Sequence, residues 1–192
     1  IWMFANNIKK LRNKLQENNI DVAVITDDDS VYYYSGYYDY LHMEFGRPTI
    51  LLVPKDDKSL LITPIVDIKL AEDDAVVDEI SAWNDGVGLE WKEKLPIILQ
   101  SKNKIGIEPN KIPPVVRDYI KSIVEDSRIT DVSSVIAKMR MVKSSEELQL
   151  ARHAGQVAMA MMEAGKNAIA DGVREFEVAL ATSQAGTKKA SE

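Results

Sequence analysis

Residues 49–63 have the sequence TILLVPKDDKSLLIT, in which two apolar runs flank a short polar connection. Both runs are rich in leucine and isoleucine, and the connection contains proline and aspartate, which favour turns. The stretch therefore predicts two β-strands joined as a hairpin.

The hairpin lies among alternating strand and helix signals. Residues 22–25, 76–80, 104–108 and 128–132 have the composition of strands. Helices are predicted around Ile8, Leu11 and Leu15, over residues 65–72 and 90–100, and from Pro113 onward. Alternation of this kind predicts the α/β fold class, with a mixed β-sheet and helices on its faces. Because Pro96 lies inside the third helix, a kink or an early end is expected there.

After residue 132 the sequence changes character. Residues 133–141 are predicted as a linking helix, and Ser144 with Glu147 has the spacing of a capping box, which begins a long helix. A second helix is predicted over residues 174–183, starting after Gly172 and stopping near Gly186. The two helices predict a hairpin.

This hairpin contains a run of six apolar residues at 157–162. A helix that is apolar all round must be buried on several sides, and two helices cannot form a core that buries it. Since no closing element precedes Glu192, we expect a fragment that ends just after a larger second domain has begun. A self-sufficient helical appendage packed on the α/β body is the alternative.

Composition limits the partners. Lys plus Arg total 24 and Asp plus Glu total 30, so the net charge is −6, which gives no basic surface for nucleic acid. No run approaches the length of a membrane span and no signal peptide is recognisable, so we expect a cytoplasmic protein without a membrane partner. There is no cysteine, which excludes disulfides, thiolate metal sites and cysteine catalysis.

Few residues suggest chemistry. The chain has two histidines, His42 and His153, in no pattern typical of a metal site, and His153 is interpreted as structural. The Asp27–Asp29 run lacks the spacing of a calcium loop, so a solvated turn after a strand is expected there. No phosphate-binding loop or serine-nucleophile motif occurs.

Aromatic residues cluster before the hairpin. Six of the seven tyrosines lie between Tyr32 and Tyr40. Tyrosine combines an apolar face with a hydroxyl group and therefore suits a ligand pocket or a subunit contact. Packing on the sheet is the favoured explanation for Tyr32 to Tyr34, whereas the polar stretch that follows contains the candidate site residues, namely Tyr38, Tyr40, His42 and Arg47.

Several segments, in this order, resemble the creatinase, prolidase and aminopeptidase P family, the pita-bread metallohydrolases of peptidase family M24. The most specific segment is Met139-Arg140-Met141-Val142-Lys143-Ser144-Ser145-Glu146-Glu147-Leu148, which is similar to the family's junction between its two domains. The weaker segments are Leu11-Arg12, Leu15, Ile20-Asp21-Val22, Tyr33 to Tyr37, Arg47 to Pro54, Trp83-Asn84-Asp85 and Ile105 to Glu108.

The resemblance implies a domain organisation. Residues 1–132 are expected to be the creatinase-like N-terminal domain, residues 133–143 a linker helix, and residues 144–192 the first helices of a truncated α+β catalytic domain. The family holds two divalent ions, often Mn, Zn or Co, on ligands that lie further along than Glu192. The chain alone is therefore expected to bind no metal and to be inactive.

The resemblance also implies what this domain does. Family members are commonly homodimers in which the N-terminal domain of one subunit narrows the cleft of the other to short peptides or small molecules. His42, Arg47, Tyr38 and Tyr40 would then face that cleft, where Arg47 pairs with a substrate carboxylate and His42 donates to a substrate carbonyl.

Three functions for the parent protein stay open from the sequence. The first is a metal-dependent Xaa-Pro dipeptidase or aminopeptidase. The second is a creatinase-like enzyme that acts on a small non-peptide amide, and the third is a pita-bread protein that binds other proteins without catalysis.

Overall fold

The helices and strands follow the predicted alternation. A computed structural model describes residues 2–38, 48–84 and 90–192. The helices are α1 (Trp2–Glu17), α2 (Asp28–Ser35), α3 (Ile68–Asp74), α4 (Glu90–Leu99), α5 (Pro114–Ile123), α6 (Ser133–Met141), α7 (Ser145–Ala168) and α8 (Glu175–Ala190). The strands are β1 (Val22–Ile25), β2 (Ile50–Pro54), β3 (Leu60–Pro64), β4 (Glu79–Trp83), β5 (Ile105–Ile107) and β6 (Ile129–Asp131). The chain divides into two compact units, Ile1–Met141 and Val142–Glu192.

In the first unit the described strands form one mixed sheet in the order β4-β3-β2-β1-β5-β6. Strand β2 is antiparallel to both of its neighbours, β1 and β3. The pairs β3–β4, β1–β5 and β5–β6 are parallel. All strands other than β2 therefore run in one direction, and their carboxyl ends meet along one side of the sheet. We call this side the carboxyl edge; it is marked by Ile25, Pro64, Trp83, Ile107 and Asp131.

Helices cover both faces of the sheet, which explains why its central strands are apolar throughout. On one face, Val24, Leu52 and Ile62 pack against α4 and α5. On the other, Ile25, Leu51 and Leu61 pack against α1, α2, α3 and α6. The predicted hairpin is β2–β3, and the predicted α/β class with helices on both faces of a mixed sheet is confirmed.

Helix α4 continues through Pro96 to Leu99, so the expected early end is wrong. A proline inside a helix leaves the carbonyl four residues earlier without its N–H donor. Here that carbonyl belongs to Lys92, and the Tyr119 hydroxyl of α5 donates a hydrogen bond to it at 2.8 Å. Contact between the two helices therefore stabilises the continuous form of α4.

Two other boundaries differ from the prediction. The strand expected at residues 76–80 is β4, Glu79–Trp83, whose position follows from its pairing with β3, since Leu60 lies opposite Glu79. Helix α8 does not stop near Gly186 but continues to Ala190. A Cβ atom at Gly186 would lie 2.7 Å from Met161 Cγ, so this glycine permits close packing of α7 and α8.

The second unit is the predicted helical hairpin, α7 and α8. The expected capping box is present, because Ser144 Oγ accepts from the Glu147 amide and the Glu147 carboxylate accepts from the Ser144 amide. Apolar side chains of the run at 157–162 are exposed, including Met159 at 73% and Met162 at 75%. None of the described helices is both long and apolar enough to cross a membrane.

Candidate functional site at the carboxyl edge of the sheet

The carboxyl edge brings together the segments that follow the parallel strands. Ligands of open α/β sheets bind in crevices at this edge, above all where the helices after two neighbouring strands lie on opposite faces. Helix α2 follows β1 and packs on one face, whereas α5 follows β5 and packs on the other. The boundary between β1 and β5 is therefore such a point.

The half of the carboxyl edge next to β3 and β4 is aromatic. Tyr37 is fully buried and its hydroxyl lies 2.9 Å from Thr63 Oγ1. The indole N–H of Trp83, also buried, donates to the carbonyl of Pro48 at 2.9 Å. These two bonds fix the chain on either side of residues 39–47.

Three aromatic rings pack edge to face beside this half. The ring centroids of Phe4 and Tyr32 are 5.5 Å apart, and those of Tyr32 and Tyr38 are 6.1 Å apart. Tyr32 is 43% exposed, whereas Tyr34 is fully buried. The tyrosine cluster therefore divides into core residues and a partly exposed row of rings.

The row of rings forms because helix α2 ends at Gly36. Gly36 has φ 80°, the left-handed conformation that glycine adopts without steric cost. A Cβ atom at this position would lie 2.8 Å from the Phe4 ring. The turn at Gly36 ends the helix before Tyr38, whose ring packs edge to face with that of Tyr32.

Of the four predicted site residues, the structure places one. Tyr38 is half-buried at the aromatic half of the carboxyl edge. Tyr40, His42 and Arg47 lie outside the described residues.

The half of the carboxyl edge at β1 and β5 is charged. Asp27 follows β1 and caps α2, accepting from the Ser30 amide at 3.1 Å and from its hydroxyl at 2.9 Å. The expected solvated turn at Asp27–Asp29 is therefore wrong, since these residues begin a helix. Glu108 follows β5 and is 4% exposed. Lys111 Nζ lies 2.8 Å from Asp27 Oδ2 and 3.4 Å from Glu108 Oε1.

Asp27 and Glu108, the two carboxyl groups that contact Lys111, have pKa values shifted in opposite directions. Burial raises the pKa of Glu108, and the opposing attraction of Lys111 is the smaller effect. Burial also acts to raise the pKa of Asp27, but hydrogen bonds from Lys111 and Ser30 outweigh it and hold that pKa below its usual range. Lys111 therefore stabilises the charge of Asp27 more than that of Glu108.

Helix α6 contributes a second cation to the charged half. Arg140 Nη1 lies 3.5 Å from Ser30 Oγ and 4.0 Å from Asp27 Oδ2. Its guanidinium group also lies over the Tyr33 ring, 5.7 Å from the centroid. Two cations and two buried or half-buried carboxyl groups thus meet at the boundary between β1 and β5.

Sequence analysis did not select this charged cluster. Its members come from α2, from the segment after β5 and from α6, which are far apart along the chain. A signal was available, because Asp27 lies two residues after one predicted strand and Glu108 is the last residue of another, and the carboxyl ends of parallel strands meet at one edge of a sheet. In the part of the chain that the structure describes, no group of three or more His, Asp or Glu side chains is arranged to hold a metal ion.

Comparison with known proteins gives consistent results. The sequence model of the creatinase/prolidase N-terminal domain matches residues 7–142. An uncharacterized peptidase of Staphylococcus aureus (strain bovine RF122 / ET3-1) is 28% identical over 171 residues, which cover 89% of this chain and 46% of that protein.

Solved structures show the same fold. The prolidase from Pyrococcus horikoshii OT3 matches 95% of this chain and 48% of its own, with a TM-score of 0.75 and 21% identity. The N-terminal domain of an X-Pro dipeptidase from Streptococcus pyogenes matches 69% of this chain and 98% of its own, with a TM-score of 0.60 and 15% identity. The chain thus spans about half the length of the first two proteins.

Proposed function

The chain belongs to the creatinase/prolidase N-terminal domain family, and we propose that it is the N-terminal, substrate-restricting and dimerisation part of a metal-dependent Xaa-Pro dipeptidase- or aminopeptidase-like hydrolase. The observation that carries the proposal is the family match over residues 7–142, which stops where the first compact unit, Ile1–Met141, stops. Relatives of this chain include a peptidase and a prolidase. Peptide hydrolysis is therefore the activity proposed for the whole protein.

The domain organisation is part of the proposal. Residues 1–132 are the non-catalytic domain, residues 133–143 the linker helix, and residues 144–192 the beginning of the catalytic domain. The structure adds that α6, the proposed linker helix, packs Ile136 into the core of the first unit. The exposed apolar side chains of α7 and α8 are consistent with a face that further polypeptide covers, since the prolidase is about twice as long.

The metal centre is assigned to that further polypeptide. The resemblance implies two divalent ions, Mn, Zn or Co, which would supply an activated water and polarise the scissile carbonyl. The described residues of this chain do not fit such a centre, because they contain no suitable group of ligands. We therefore derive no catalytic step from them and expect the chain to restrict substrates rather than cleave them.

A direct assay tests whether this chain lacks catalysis and metal binding. The 192-residue chain is incubated with Mn or Zn and with Xaa-Pro dipeptides, and both hydrolysis and metal binding are measured. We expect neither turnover nor a stoichiometric binding isotherm. Either result, if obtained, would contradict the assignment of catalysis to the missing part.

Substrate restriction is assigned to the segment around the aromatic half of the carboxyl edge. Tyr38 lies there, and the hydrogen bonds of Tyr37 and Trp83 hold the two ends of the segment that contains Tyr40, His42 and Arg47. Arg47 would bind the substrate carboxylate through two parallel hydrogen bonds, and His42 would donate to a substrate carbonyl.

Substitution in the full-length protein tests this role. We expect His42→Ala and Arg47→Ala to raise KM for an Xaa-Pro dipeptide while the metal content stays unchanged. Lys58→Ala is the matched control, because Lys58 is exposed in the β2–β3 turn, away from the carboxyl edge, and pairs with Glu79. Unchanged kinetics in both site variants would show that His42 and Arg47 do not bind the substrate.

A further inference from the structure

A cavity opens beside the charged half of the carboxyl edge. Its volume is about 330 Å³, and it lies within the first unit. It is lined by Glu108, Lys111, Ser133, Ile136, Ala137 and Arg140. The lining comes from the segment after β5 and from α6, and Lys111 in this lining also pairs with Asp27, which follows β1.

One carboxylate oxygen in this cavity lining has no partner. Glu108 is 4% exposed, and its Oε2 atom is shielded from solvent without a hydrogen-bond partner among the described residues. Buried polar atoms are paired in the great majority of cases, so an unpaired one indicates a missing partner. The terminal torsion of a glutamate is broad and roughly two-fold, so the two oxygens of the carboxyl group can exchange positions by rotation.

The missing partner of Glu108 is a hydrogen-bond donor, and the lining also contains cations. Lys111 and Arg140 border the same cavity, each only partly exposed. A simple anion would face the carboxyl groups of Glu108 and Asp27, and a simple cation would face Lys111 and Arg140. A molecule that carries both charges satisfies both sets.

We propose that this cavity binds a free amino acid as its zwitterion. The ammonium group bonds to the Glu108 carboxylate, the ligand carboxylate bonds to Lys111 and Arg140, and an apolar side chain lies against Ile136 and Ala137. The proposal concerns the first unit only and stands independently of the peptidase activity assigned to the whole protein.

Proton release gives the proposed site a second signature. Burial raises the pKa of Glu108, so at a given acidic pH a larger share of this group is protonated than of an exposed glutamate. An ammonium group beside it favours the carboxylate and drives the proton off. Binding of an amino acid near pH 5 therefore releases protons, and the measured heat depends on the ionisation enthalpy of the buffer.

Isothermal titration of the 192-residue chain tests the proposal with four probes. L-leucine and glycine are zwitterions with and without an apolar side chain, while acetate and methylammonium each carry one of the two charges. We expect saturable binding of L-leucine, weaker binding of glycine, and binding of acetate and methylammonium at least about tenfold weaker than that of L-leucine. Near pH 5 the heat of L-leucine binding should differ between two buffers of unequal ionisation enthalpy.

Variants of the cavity lining locate the site. Glu108→Gln keeps the shape of the side chain and removes its charge, and Lys111→Met removes the cation that faces it. Each should weaken L-leucine binding at least about tenfold, the effect of one charge-assisted hydrogen bond. Lys121→Met is the matched control, because Lys121 pairs with Asp126 beside a different crevice of the same sheet. Circular dichroism verifies that each variant is folded.

Three results would overturn the proposal. They are a titration of L-leucine that gives only the heat of dilution at tens of millimolar ligand, acetate binding as tight as that of L-leucine, and full affinity in the folded Glu108→Gln variant.

Discussion

The two compact units differ in how far their apolar side chains are buried. In the first unit, Leu51, Leu61 and Leu95 are completely buried between a sheet and its helices. In the second, Leu180 is 63% exposed and Phe176 is 57% exposed, and the described residues classed as buried are two glycines, Gly165 and Gly186. The first unit therefore has a core of its own, whereas the second has a contact between two helices.

This difference teaches that folding energy is distributed unevenly along the chain. Apolar burial is the dominant favourable term in folding, so the stability of the first unit should respond strongly to core changes and that of the second weakly. The two responses can be observed separately. All three tryptophans, Trp2, Trp83 and Trp91, lie in the first unit, so fluorescence reports that unit and far-ultraviolet circular dichroism reports both.

The largest effect is expected from a pair of identical truncations. Leu61→Ala removes a fully buried side chain and should lower the free energy of unfolding by about 2–5 kcal/mol. Leu180→Ala removes a mostly exposed one and should change it by less than about 0.5 kcal/mol. Urea denaturation followed by fluorescence and circular dichroism measures both. A large loss in Leu180→Ala would show that something covers the helical hairpin in solution, and sedimentation would then identify self-association.

Replacing one glycine in each unit by alanine should change the stabilities of the two units in opposite directions. A Cβ atom at Gly106 in β5 would lie 2.4 Å from Val132 Cγ1, so Gly106→Ala should destabilise the first unit by about 1–3 kcal/mol. A Cβ atom at Gly155 in α7 would meet nothing within 4 Å, so Gly155→Ala should stabilise the second unit by about 0.5–1 kcal/mol. Thermal unfolding monitored by both signals measures the shifts, and equal signs would contradict the comparison.

A smaller effect is expected from removing the hydrogen bond that stabilises α4 at Pro96. Tyr119→Phe removes the hydroxyl that bonds to the Lys92 carbonyl and should cost about 1 kcal/mol in the fluorescence transition. Tyr32→Phe is the matched control, since no hydrogen bond of the Tyr32 hydroxyl is found among the described residues, and it should cost less than about 0.5 kcal/mol. Equal costs would show that α4 accommodates Pro96 without help from α5.

The smallest effect is the pH dependence of the charged half. Because the pKa of Glu108 is raised in the folded state, ionisation opposes folding, and the cost appears as pH rises above the usual range of a glutamate. Glu108→Gln should therefore match the parent chain near pH 4 and exceed its stability near pH 7. Urea titrations at both pH values measure the difference in stability. A Glu108→Gln variant that is less stable than the parent chain at pH 7 would contradict the prediction.

Asp27 gives the opposite response. Hydrogen bonds from Lys111 and Ser30 lower its pKa, so its contribution is present above the usual pKa of an aspartate and is lost as the pH falls. Asp27→Asn should therefore lose stability at pH 7 and little at pH 3. The same titrations, applied to this variant, separate the two carboxyl groups.

The sequence was sufficient wherever local chemistry decides the structure. Continuous apolar runs predicted β1, β2 and β3, and Ser144 with Glu147 predicted the start of α7, because each signal lies within a few residues. The positions of β4 and α4, in contrast, depend on residues that are distant in the sequence. The edge strand β4 is set by its pairing with β3, and α4 continues through Pro96 because Tyr119, far along the chain, supplies the donor.

The candidate site follows the same rule. Tyrosine clustering near Tyr38 was visible in the sequence, but the division between the buried Tyr34 and the more exposed Tyr32 depends on which face of α2 packs on the core. The charged half required the topology, because Asp27 and Lys111 become neighbours only after β1 pairs with β5.

The pairing of β1 with β5 has a consequence for synthesis on the ribosome. Val22 lies opposite Pro54 on one side and opposite Ile105 on the other, so one border of β1 can pair once residue 54 has been made, whereas the second waits until residues 105–107 have been made. During that interval the nascent polypeptide presents an apolar strand with open backbone groups, the feature that invites aggregation. Chaperone occupancy on stalled nascent chains should therefore fall once residue 107 has left the exit tunnel.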